Sequence, residues 1–399
     1  MKLKLQLNRA LIVIDAYLRG VSKNKSHINS VASNTVLIVF QQLFGDAVVI
    51  QNSLMEYSKI YPKEKGYQII FLARPSVVAF MREVLVLPEE IKIETVDFKR
   101  FLEEYGYYKK VVKQYNKIAG TLIIPGTSMS AVIFASSNDA YKRIGLVRSN
   151  EITKPLTLAA LIKYAYTEKI RPNKEDMMLQ WHRLLLNHLG AKDYQAKLPE
   201  LQCKKKIINE EKYCVLCPGS SKAEKIWPTK RFSEIADYII EKYHMNVHLC
   251  GGIDELQFEN MILSQVKNAD CIVSHIGKSG FSEWSAIVQH AELVVGNDSA
   301  TMHLAAASRR KAICIAGVYD KYQFFPYKVD VLGEKDRLPV TLLKEMPCEW
   351  CRTVGYDAGY GNPECKDRIK KQQCALCIDV ITVEEVKIEI DRLLGENSL

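Results

Sequence analysis

Short apolar runs alternate with amphipathic segments along most of the chain, a pattern typical of strands that alternate with helices. In the amino-terminal half, the runs of strand length are TVLIVF (35–40), YQIIFLA (67–73), IKIETV (91–96) and TLIIPG (121–126). Helices are predicted at about 48–60, 76–84 and 98–115, and again over 151–190. The alternation predicts a layered α/β domain with a parallel sheet.

A second series of the same kind follows the polar stretch 190–211, which predicts a linker. Its strand candidates are YCVLCPG (213–219), NVHLCGG (246–252), DCIVSHIG (270–277), ELVVGND (292–298) and KAICIAG (311–317), and a helix is predicted from about 382 to 394. We therefore predict two Rossmann-like, doubly wound α/β domains that face an interdomain cleft. The predicted domains are 34–200 and 201–399, with a basic amphipathic extension at 1–33.

Composition excludes several classes of protein. The 399 residues are 48% hydrophobic and 25% charged, which excludes disorder and collagen-like repeats. No apolar run approaches the roughly 18 residues that a membrane-spanning helix needs. The amino terminus begins like a signal peptide, but Asn8, Arg9 and Asp15 interrupt its apolar stretch. We expect a cytoplasmic protein, in which the eleven cysteines are free thiols or metal ligands rather than disulfides.

Positive charge is concentrated in the first half of the chain. Residues 1–200 hold 29 Lys and Arg against 18 Asp and Glu, a net charge of +11, whereas the remainder carries −2. This asymmetry indicates an anionic partner such as a phosphorylated glycolipid or a membrane surface, although a merely solvated basic surface gives the same count. We do not expect nucleic acid, since no recognition motif accompanies the charge. Residues 1–32 fit either an interfacial helix or a helix packed on the body of the protein.

Ligands of open parallel sheets bind beyond the carboxyl ends of the strands, and this rule selects four loops. The first holds Ser220, Ser221 and Lys225, which form either a phosphate cradle or an ordinary Ser-rich turn. In the second, Asp298 or Ser299 is placed to cap a helix. Capping does not explain why this loop is followed by His303, because a cationic imidazole at a helix start is disfavoured unless an anion is near.

The other two loops carry weaker signals. Gly251-Gly252 lacks the G-x-G-x-x-G spacing, and Asp254 beside it would either accept hydrogen bonds from ribose hydroxyls or cap a helix. In the first domain, Asp46 follows the strand TVLIVF and opens a helix. It is placed to serve as a general base, although Asp at a helix start is also a common cap.

Three segments within 212–317 resemble motifs of glycosyltransferase family 9, the bacterial lipopolysaccharide heptosyltransferases, in order and spacing. They are PGSSKAEKIWPTKRF, HIGKSGFSEWSAIV and AELVVGNDSATMHLAAA, and TVLIVFQQLFGDAVV adds a match in the first domain. The resemblance implies a GT-B fold and an inverting, metal-independent transfer of heptose or a related sugar. It also implies ADP-heptose as donor, an anionic lipopolysaccharide or lipooligosaccharide core as acceptor, and peripheral attachment at the cytoplasmic face of the inner membrane.

Roles follow from the resemblance position by position. Asp46 would be the base, and Lys225 would stabilise the departing nucleotide diphosphate. The residues that would hold the donor are Ser220, Ser221, Lys225, Asp254, Asp298, Ser299, Ala300 and His303, with Asp254 near the ribose. The chain departs from the family at Ala300, where Gly is common, and a side chain there would be strained if the backbone required positive φ. A nucleotide-sugar epimerase of the same fold and a non-catalytic glycolipid-binding paralogue therefore remain alternatives.

Cysteines cluster in the segment 347–378. The pairs Cys348/Cys351 and Cys374/Cys377 have the spacing of a tetrahedral zinc site, and Cys365 is surplus to it. A structural zinc held by the four paired cysteines is one interpretation. Reduced packing thiols or a disulfide are the others.

Overall fold

The computed structural model describes residues 2–25, 33–116, 118–147, 156–173, 175–199, 201, 211–332, 338–348 and 363–395. The chain divides into two compact units, of which unit 1 comprises Met1–Arg82 with Leu87–Ala196, and unit 2 comprises Glu83–Val86 with Lys197–Leu399. Among the described helices, none has the length and apolar character that crossing a membrane requires.

Unit 1 is built on six short strands. They are β1 (Thr35–Val39), β2 (Gln68–Ala73), β3 (Ile91–Thr95), β4 (Thr121–Ile124), β5 (Lys142–Leu146) and β6 (Glu168–Ile170). The helices are α1 (Lys2–Lys25), α2 (Phe44–Ile60), α3 (Pro75–Val84), α4 (Phe98–Glu103), α5 (Tyr105–Tyr115), α6 (Met129–Ser137), α7 (Leu156–Ala165) and α8 (Met178–Leu189). All strand pairs are parallel, in the order β3-β2-β1-β4-β5-β6.

This order has a switch point between β1 and β4, where successive connections leave in opposite directions and a crevice opens beyond the strand ends. The loop after β1, which leads to Asp46, and the loop after β4 both begin there. The central strands are buried on both faces, which explains why their sequences are continuous apolar runs rather than alternating ones.

Two sequence predictions for unit 1 need correction. The segment 98–115 is two helices, because the chain is extended at Glu104, and Asp97 caps the first of them by accepting hydrogen bonds from the N–H groups of Lys99 and Arg100. The segment 151–190 is not wholly helical. It contains the edge strand β6, which lies between α7 and α8. This strand has three residues, too few to give a periodic signal.

Helix α1 packs on unit 1 against α4, α5, α6 and α7. Among the apolar side chains of α1, only those of Ile12 and Ala16 are fully buried. Polar contacts make much of the remaining attachment, including the Tyr108 hydroxyl, which donates to Asp15 at 2.8 Å, and Lys23, whose ammonium lies 3.0 Å from the carboxylate of Asp139.

Unit 2 repeats the plan. Its strands are β7 (Tyr213–Cys217), β8 (Asn246–Leu249), β9 (Ile272–Ser274), β10 (Leu293–Asn297), β11 (Ala312–Ile315) and β12 (Val340–Leu342). Its helices are α9 (Thr229–Tyr243), α10 (Leu256–Leu263), α11 (Phe281–His290), α12 (Ala300–Ala307), α13 (Val329–Leu332), α14 (Pro363–Lys370), α15 (Leu376–Asp379) and α16 (Val383–Gly395). The parallel order is β12-β11-β10-β7-β8-β9, which has the same 3-2-1-4-5-6 topology as unit 1.

The five strands predicted in the second half are confirmed, and so is the helix near 382–394. The sequence did not reveal β12, a three-residue edge strand that pairs with β11. In unit 2 the switch point lies between β7 and β10, so the loops that begin at Pro218 and Asp298 emerge side by side. The predicted class, two Rossmann-like α/β units, is thus confirmed.

Candidate functional site

The loops after β7 and β10 are joined by a fully buried amide. The Asn297 side chain donates through Nδ2 to the carbonyl of Pro218 at 2.8 Å and accepts through Oδ1 from the N–H of Trp227 at 3.0 Å. The hydroxyl of Ser220 donates to the carbonyl of Asp298 at 3.3 Å. Asn297 therefore fixes the position of the Ser220–Trp227 loop relative to the end of β10.

Lys225 is brought to the same place by a short 3-10 turn, Ala223–Lys225. Its ammonium donates to Asp298 Oδ2 at 2.7 Å, and both side chains are about nine-tenths buried. The ammonium also lies 5.3 Å from the centre of the Tyr319 ring, a cation–π distance. These contacts hold the Lys225 side chain in a fixed position.

The helix beside this pair is not capped by the side chain of its own N-cap residue. Ser299 is the N-cap residue of α12, yet it makes no side-chain cap hydrogen bond, and its buried hydroxyl has no partner among the described residues. The prediction that Ser299 caps this helix is therefore wrong, and the Asp298 carboxylate pairs with Lys225. Ala300 is the first residue of α12, and it is not among the described residues with positive φ, so its methyl group causes no backbone strain.

The presence of His303 in the first turn of α12 is explained by its packing in the interior of unit 2. The residue is 3% exposed, its Nδ1 lies 2.7 Å from the Tyr327 hydroxyl, and its ring packs beside Phe324 and Phe325. Burial lowers the pKa of His303 to about 4, so the imidazole is neutral at neutral pH. A neutral ring is compatible with a helix start, and the sequence argument for a nearby anion, which assumed a cationic imidazole, no longer applies to this residue.

Glu255 rather than Asp254 reaches the phosphate-type loop. Asp254 is exposed, whereas the Glu255 carboxylate accepts from the N–H of Gly252 at 3.2 Å. A Cβ on Gly219 would lie 1.9 Å from the Glu255 carboxyl carbon, and one on Gly251 would lie 2.2 Å from its Oε2. The two glycines thus make room for this carboxylate, and its burial raises the pKa of Glu255.

The Cys-rich segment is only partly within the described residues. Cys348 is partly exposed, Cys365, Cys374 and Cys377 are buried, and these four are free thiols. Cys351 lies outside the described residues. Within the described part of the chain, no three His, Cys, Asp or Glu side chains gather as metal ligands. The zinc set therefore stays a prediction.

The end of this segment braces the loop that carries Lys225. The N–H of Ala375 donates to the carbonyl of Glu224 at 3.0 Å, and the Trp227 indole donates to the carbonyl of Ile381 at 2.9 Å. Arg231 adds hydrogen bonds to the carbonyls of Asp379 and Ile381. The position of Lys225 thus depends on residues about 150 positions away in sequence.

In unit 1, Asp46 is the third residue of α2 and is partly buried. Its Oδ2 accepts a hydrogen bond from the N–H of Leu43 at 3.4 Å, which is a long bond. Gln41, at the end of β1, is buried, and Arg74 donates to its backbone carbonyl at 2.8 Å. The Gln41 side-chain NH₂ has no partner within the described part of the chain.

Sequence reasoning missed Asn297, Glu255 and Gln41. Asn297 stands next to Asp298 at the end of a strand, and an amide at that place can bridge two loops, so its position was a usable signal. Glu255 was visible as the acidic neighbour of Asp254, and only the side-chain direction distinguishes the two. Gln41 had no signal beyond its place after β1.

Together, the unit 2 groups form an anion-type site. One fixed ammonium, the hydroxyl groups of Ser221 and Ser299 and the start of a helix are groups from which phosphate oxygens accept hydrogen bonds. The carboxylate of Glu255, in contrast, accepts hydrogen bonds, as a sugar hydroxyl would offer them. In unit 1, Asp46 supplies a carboxylate that is able to accept a proton.

Comparisons with known proteins agree with these features. The family model described as glycosyltransferase family 9 (heptosyltransferase) matches residues 111–335. Lipopolysaccharide heptosyltransferase 3 of Escherichia coli K12 is 24% identical over 261 residues, which cover 64% of this chain and 62% of that protein. Lipooligosaccharide heptosyltransferase 2 of Haemophilus ducreyi is 22% identical over 300 residues, which cover 70% of this chain and 82% of that protein.

Among solved structures, the E. coli ADP-heptose lipopolysaccharide heptosyltransferase II superposes with a TM-score of 0.61 at 17% identity. The superposition covers 92% of this chain and all of the other. At 17% identity this similarity shows the fold alone, and the fold is the predicted GT-B class.

Proposed function

Because the chain belongs to glycosyltransferase family 9 (heptosyltransferase), we propose that it transfers heptose or a related sugar from a nucleotide-sugar to the core of lipopolysaccharide or lipooligosaccharide. We take ADP-heptose as the donor to be tested first, since the E. coli protein of the same fold is an ADP-heptose lipopolysaccharide heptosyltransferase. The matched stretch spans 62% of the E. coli heptosyltransferase 3, whose name supports the acceptor class.

The observation that carries the donor half of the proposal is the hydroxyl of Ser299, which has no partner among the described residues and lies at the start of α12, next to the buried Lys225. The start of a helix, an orphaned hydroxyl and a fixed ammonium are groups that a diphosphate would satisfy. Ser221 would add a hydroxyl donor, and Ser220 would add another once its hydroxyl turns away from the carbonyl of Asp298. Asp298 would not touch the diphosphate with its carboxylate, because like charges repel, and its role would be to hold Lys225 in place.

The Glu255 carboxylate, between Gly219 and Gly251, is placed to accept hydrogen bonds from the ribose hydroxyls of the donor. Asp254, one residue earlier and exposed, would then be a weaker or outer contact. His303 would support the wall of the site through Tyr327 rather than supply charge.

In the proposed reaction, the Asp46 carboxylate takes the proton from an acceptor hydroxyl, and that oxygen attacks the anomeric carbon of the donor sugar. The bond from this carbon to the diphosphate oxygen breaks, so the configuration inverts and negative charge develops on the leaving group. Lys225 and the start of α12 would stabilise that charge in place of a metal ion. Full activity after treatment with a chelator is the expected result.

We propose an anionic glycolipid as acceptor, and a peripheral location at the cytoplasmic face of the inner membrane. The net charge of +11 over residues 1–200 supports this, since the lipid and its phosphates are negative. We also keep a structural zinc at Cys348, Cys351, Cys374 and Cys377 as a proposal. Elemental analysis of protein purified without added metal tests it, and the absence of near-stoichiometric zinc or iron would remove it.

The proposal is tested by incubating the purified protein with ADP-heptose and core glycolipid that lacks its terminal heptose. We expect a product heavier by one heptose in the mass spectrum, at a rate that depends on both substrates. Conversion of the donor without acceptor would indicate an epimerase. Binding of the glycolipid without turnover or nucleotide binding would indicate a non-catalytic paralogue, for which Ala300 no longer provides a structural reason.

A further inference from the structure

Helix α1 presents its apolar side chains outward. An amphipathic helix on a globular protein normally turns its apolar stripe to the core. Here the large apolar side chains that are exposed lie on one stripe of the helix at spacings of three or four residues. They are Leu3 (79% exposed), Leu7 (59%), Leu11 (38%), Ile14 (55%), Tyr17 (38%) and Leu18 (59%).

The opposite stripe carries the polar anchors. Asn8 donates to the carbonyl of Glu103 at 2.9 Å, Arg9 pairs with the carboxylate of Glu103 at 2.8 Å, and Lys23 donates to the carbonyl of Asn138 at 2.6 Å. The ammonium of Lys23 is largely buried, and desolvation lowers its pKa to about 8. The helix is therefore fixed in its orientation by polar contacts, with its apolar stripe held away from unit 1.

A stripe of this kind is a docking surface. Leu3 and Leu18 are separated by fifteen residues, so the stripe is roughly 22 Å long at 1.5 Å per residue. Single exposed leucines are ordinary, but a contiguous row of six large apolar side chains marks an interaction site. Because the other side of the helix is packed on α4, α5, α6 and α7, the stripe can only meet a surface that lies flat against it.

Charge decides the occupant. Residues 2–25 hold six Lys and Arg against one Asp, a net charge of +5, so a second copy of α1 would bring positive charge against positive charge. An anionic lipid surface is attracted by that charge and accepts the leucine side chains between its headgroups. The exposed Lys4 beside the stripe is suited to contact lipid phosphates.

We propose that α1 lies in the interface of an anionic membrane and docks unit 1 there through the stripe Leu3–Leu18. This inference deepens the proposed function, on which its purpose rests, because a glycolipid acceptor is itself embedded in a membrane. The contacts and exposures of α1 support docking independently of any transfer chemistry.

The test is flotation of the full chain with vesicles of phosphatidylethanolamine and phosphatidylglycerol, compared with vesicles of phosphatidylcholine alone. We expect the protein to float with the anionic vesicles only. The variant Leu7→Gln/Ile14→Gln/Leu18→Gln should lower partitioning about tenfold or more, since it removes apolar contact with the lipid and changes side chains that are more than half exposed. The matched control Met55→Gln/Tyr141→Gln/Ile388→Gln changes three exposed apolar side chains outside α1 and should float like the wild type.

A second variant, Lys4→Glu, should weaken flotation several-fold and should need no folding control beyond a thermal melt. Wild-type protein that floats with neither vesicle, or a triple variant that floats like the wild type, would overturn the proposal. Equal flotation with phosphatidylcholine would overturn the choice of an anionic surface. A wild-type dimer that the triple variant abolishes, without flotation, would assign the stripe to a second copy instead.

Turnover measurements separate this inference from the proposed function. The triple variant should keep wild-type turnover on a delipidated core oligosaccharide and lose turnover on glycolipid in vesicles. If the wild type turns over neither acceptor, the proposed function fails, and flotation still decides the role of α1.

Discussion

The ammonium of Lys225 and the carboxylate of Asp298 form a buried ion pair, with Nζ 2.7 Å from Oδ2, at the end of the central strand β10. Lysine has three N–H donors, so this bond leaves two for another anion. Asp298 therefore fixes the position of the Lys225 ammonium and neutralises what would otherwise be an isolated buried charge. Such preorganisation is what a leaving-group site requires.

Removing the lysine should harm both stability and donor binding. In Lys225→Ala, the Asp298 carboxylate is left buried without its cation, which costs about 3–5 kcal/mol of unfolding free energy. Loss of the cation at the leaving group should lower kcat about 10²-fold to 10³-fold. Urea unfolding and steady-state kinetics check the two expectations.

The matched variant is Asp298→Asn, which removes the anion and retains the lysine. It should also lose stability, but added ADP should raise its Tm more than that of the wild type, because the diphosphate supplies the missing negative charge. If ADP stabilises Lys225→Ala as much as the wild type, Lys225 does not contact the diphosphate.

Asn297 should act as a positioning residue. In Asn297→Ala, the N–H of Trp227 and the carbonyl of Pro218 lose their buried partner, and each unsatisfied group costs roughly 1–3 kcal/mol. Asn297→Asp keeps the acceptor for Trp227 but points a carboxylate at a carbonyl. Both variants should raise KM for the donor more than they lower kcat, whereas equal wild-type KM values would show that the two loops hold their position without the amide.

Gly219 and Glu255 should be coupled. In Gly219→Ala, the new methyl group would occupy the place of the Glu255 carboxylate, which must move away from the site. We expect nucleotide affinity to fall about tenfold, as it should in Glu255→Ala, since either change removes a ribose acceptor. Combining them should cost little more than one alone, and calorimetric titration with ADP completes this double-mutant cycle. Strictly additive losses would show that Gly219 acts by another route.

Most of the buried strands could be predicted from sequence because both faces of a parallel sheet are covered, which makes each of these strands a continuous apolar run. The buried strand β5 was missed, because Arg143 and Gly145 interrupt its apolar run. Edge strands such as β6 and β12, with three residues each, escape the same criterion. The phosphate-type loops could be located for a topological reason: they follow strands at the switch point. The sequence could not tell in which direction a side chain points. Glu255 and Asp254 are neighbours in sequence, yet the first reaches the loop at Gly219 and the second is exposed.

His303 and α1 show the same limit. A histidine in the first turn of a helix is compatible with a cationic imidazole beside an anionic ligand or with a buried neutral ring, and only the packing of Tyr327 and Phe325 decides between them. The apolar residues of 1–25 have the periodicity of a helix, but this periodicity does not predict which face of the helix packs on unit 1. The polar anchors to Glu103 and Asn138, distant in sequence, set that orientation.

Asp46→Asn should abolish transfer and leave nucleotide binding unchanged. The amide is unable to accept the acceptor proton, and general-base groups contribute about 10²-fold to 10⁴-fold to the rate. Its oxygen still accepts from the N–H of Leu43, so α2 should retain its start. Product formation by mass spectrometry and ADP titration test the two parts. Turnover near the wild-type rate would remove Asp46 as the base.

The burial of His303 should make unit 2 less stable as the pH falls. The folded-state pKa of His303 is about 4, whereas an unfolded histidine has a pKa of about 6.5. Between these values the unfolded chain binds the proton and the folded chain does not, so the stability contributed above pH 6.5 is lost as the pH falls toward 4. At pH 5 the loss attributable to this residue is roughly 2 kcal/mol.

His303→Gln should remove that part of the pH dependence, because glutamine does not titrate and its amide is able to bond to the Tyr327 hydroxyl. His248, whose pKa burial also lowers to about 4, serves as a comparison through His248→Gln. Urea unfolding at pH 7.5 and pH 5 measures the difference. We expect each variant to lose less stability than the wild type over this range, and an unchanged loss in His303→Gln would mean that His303 is protonated in the folded protein.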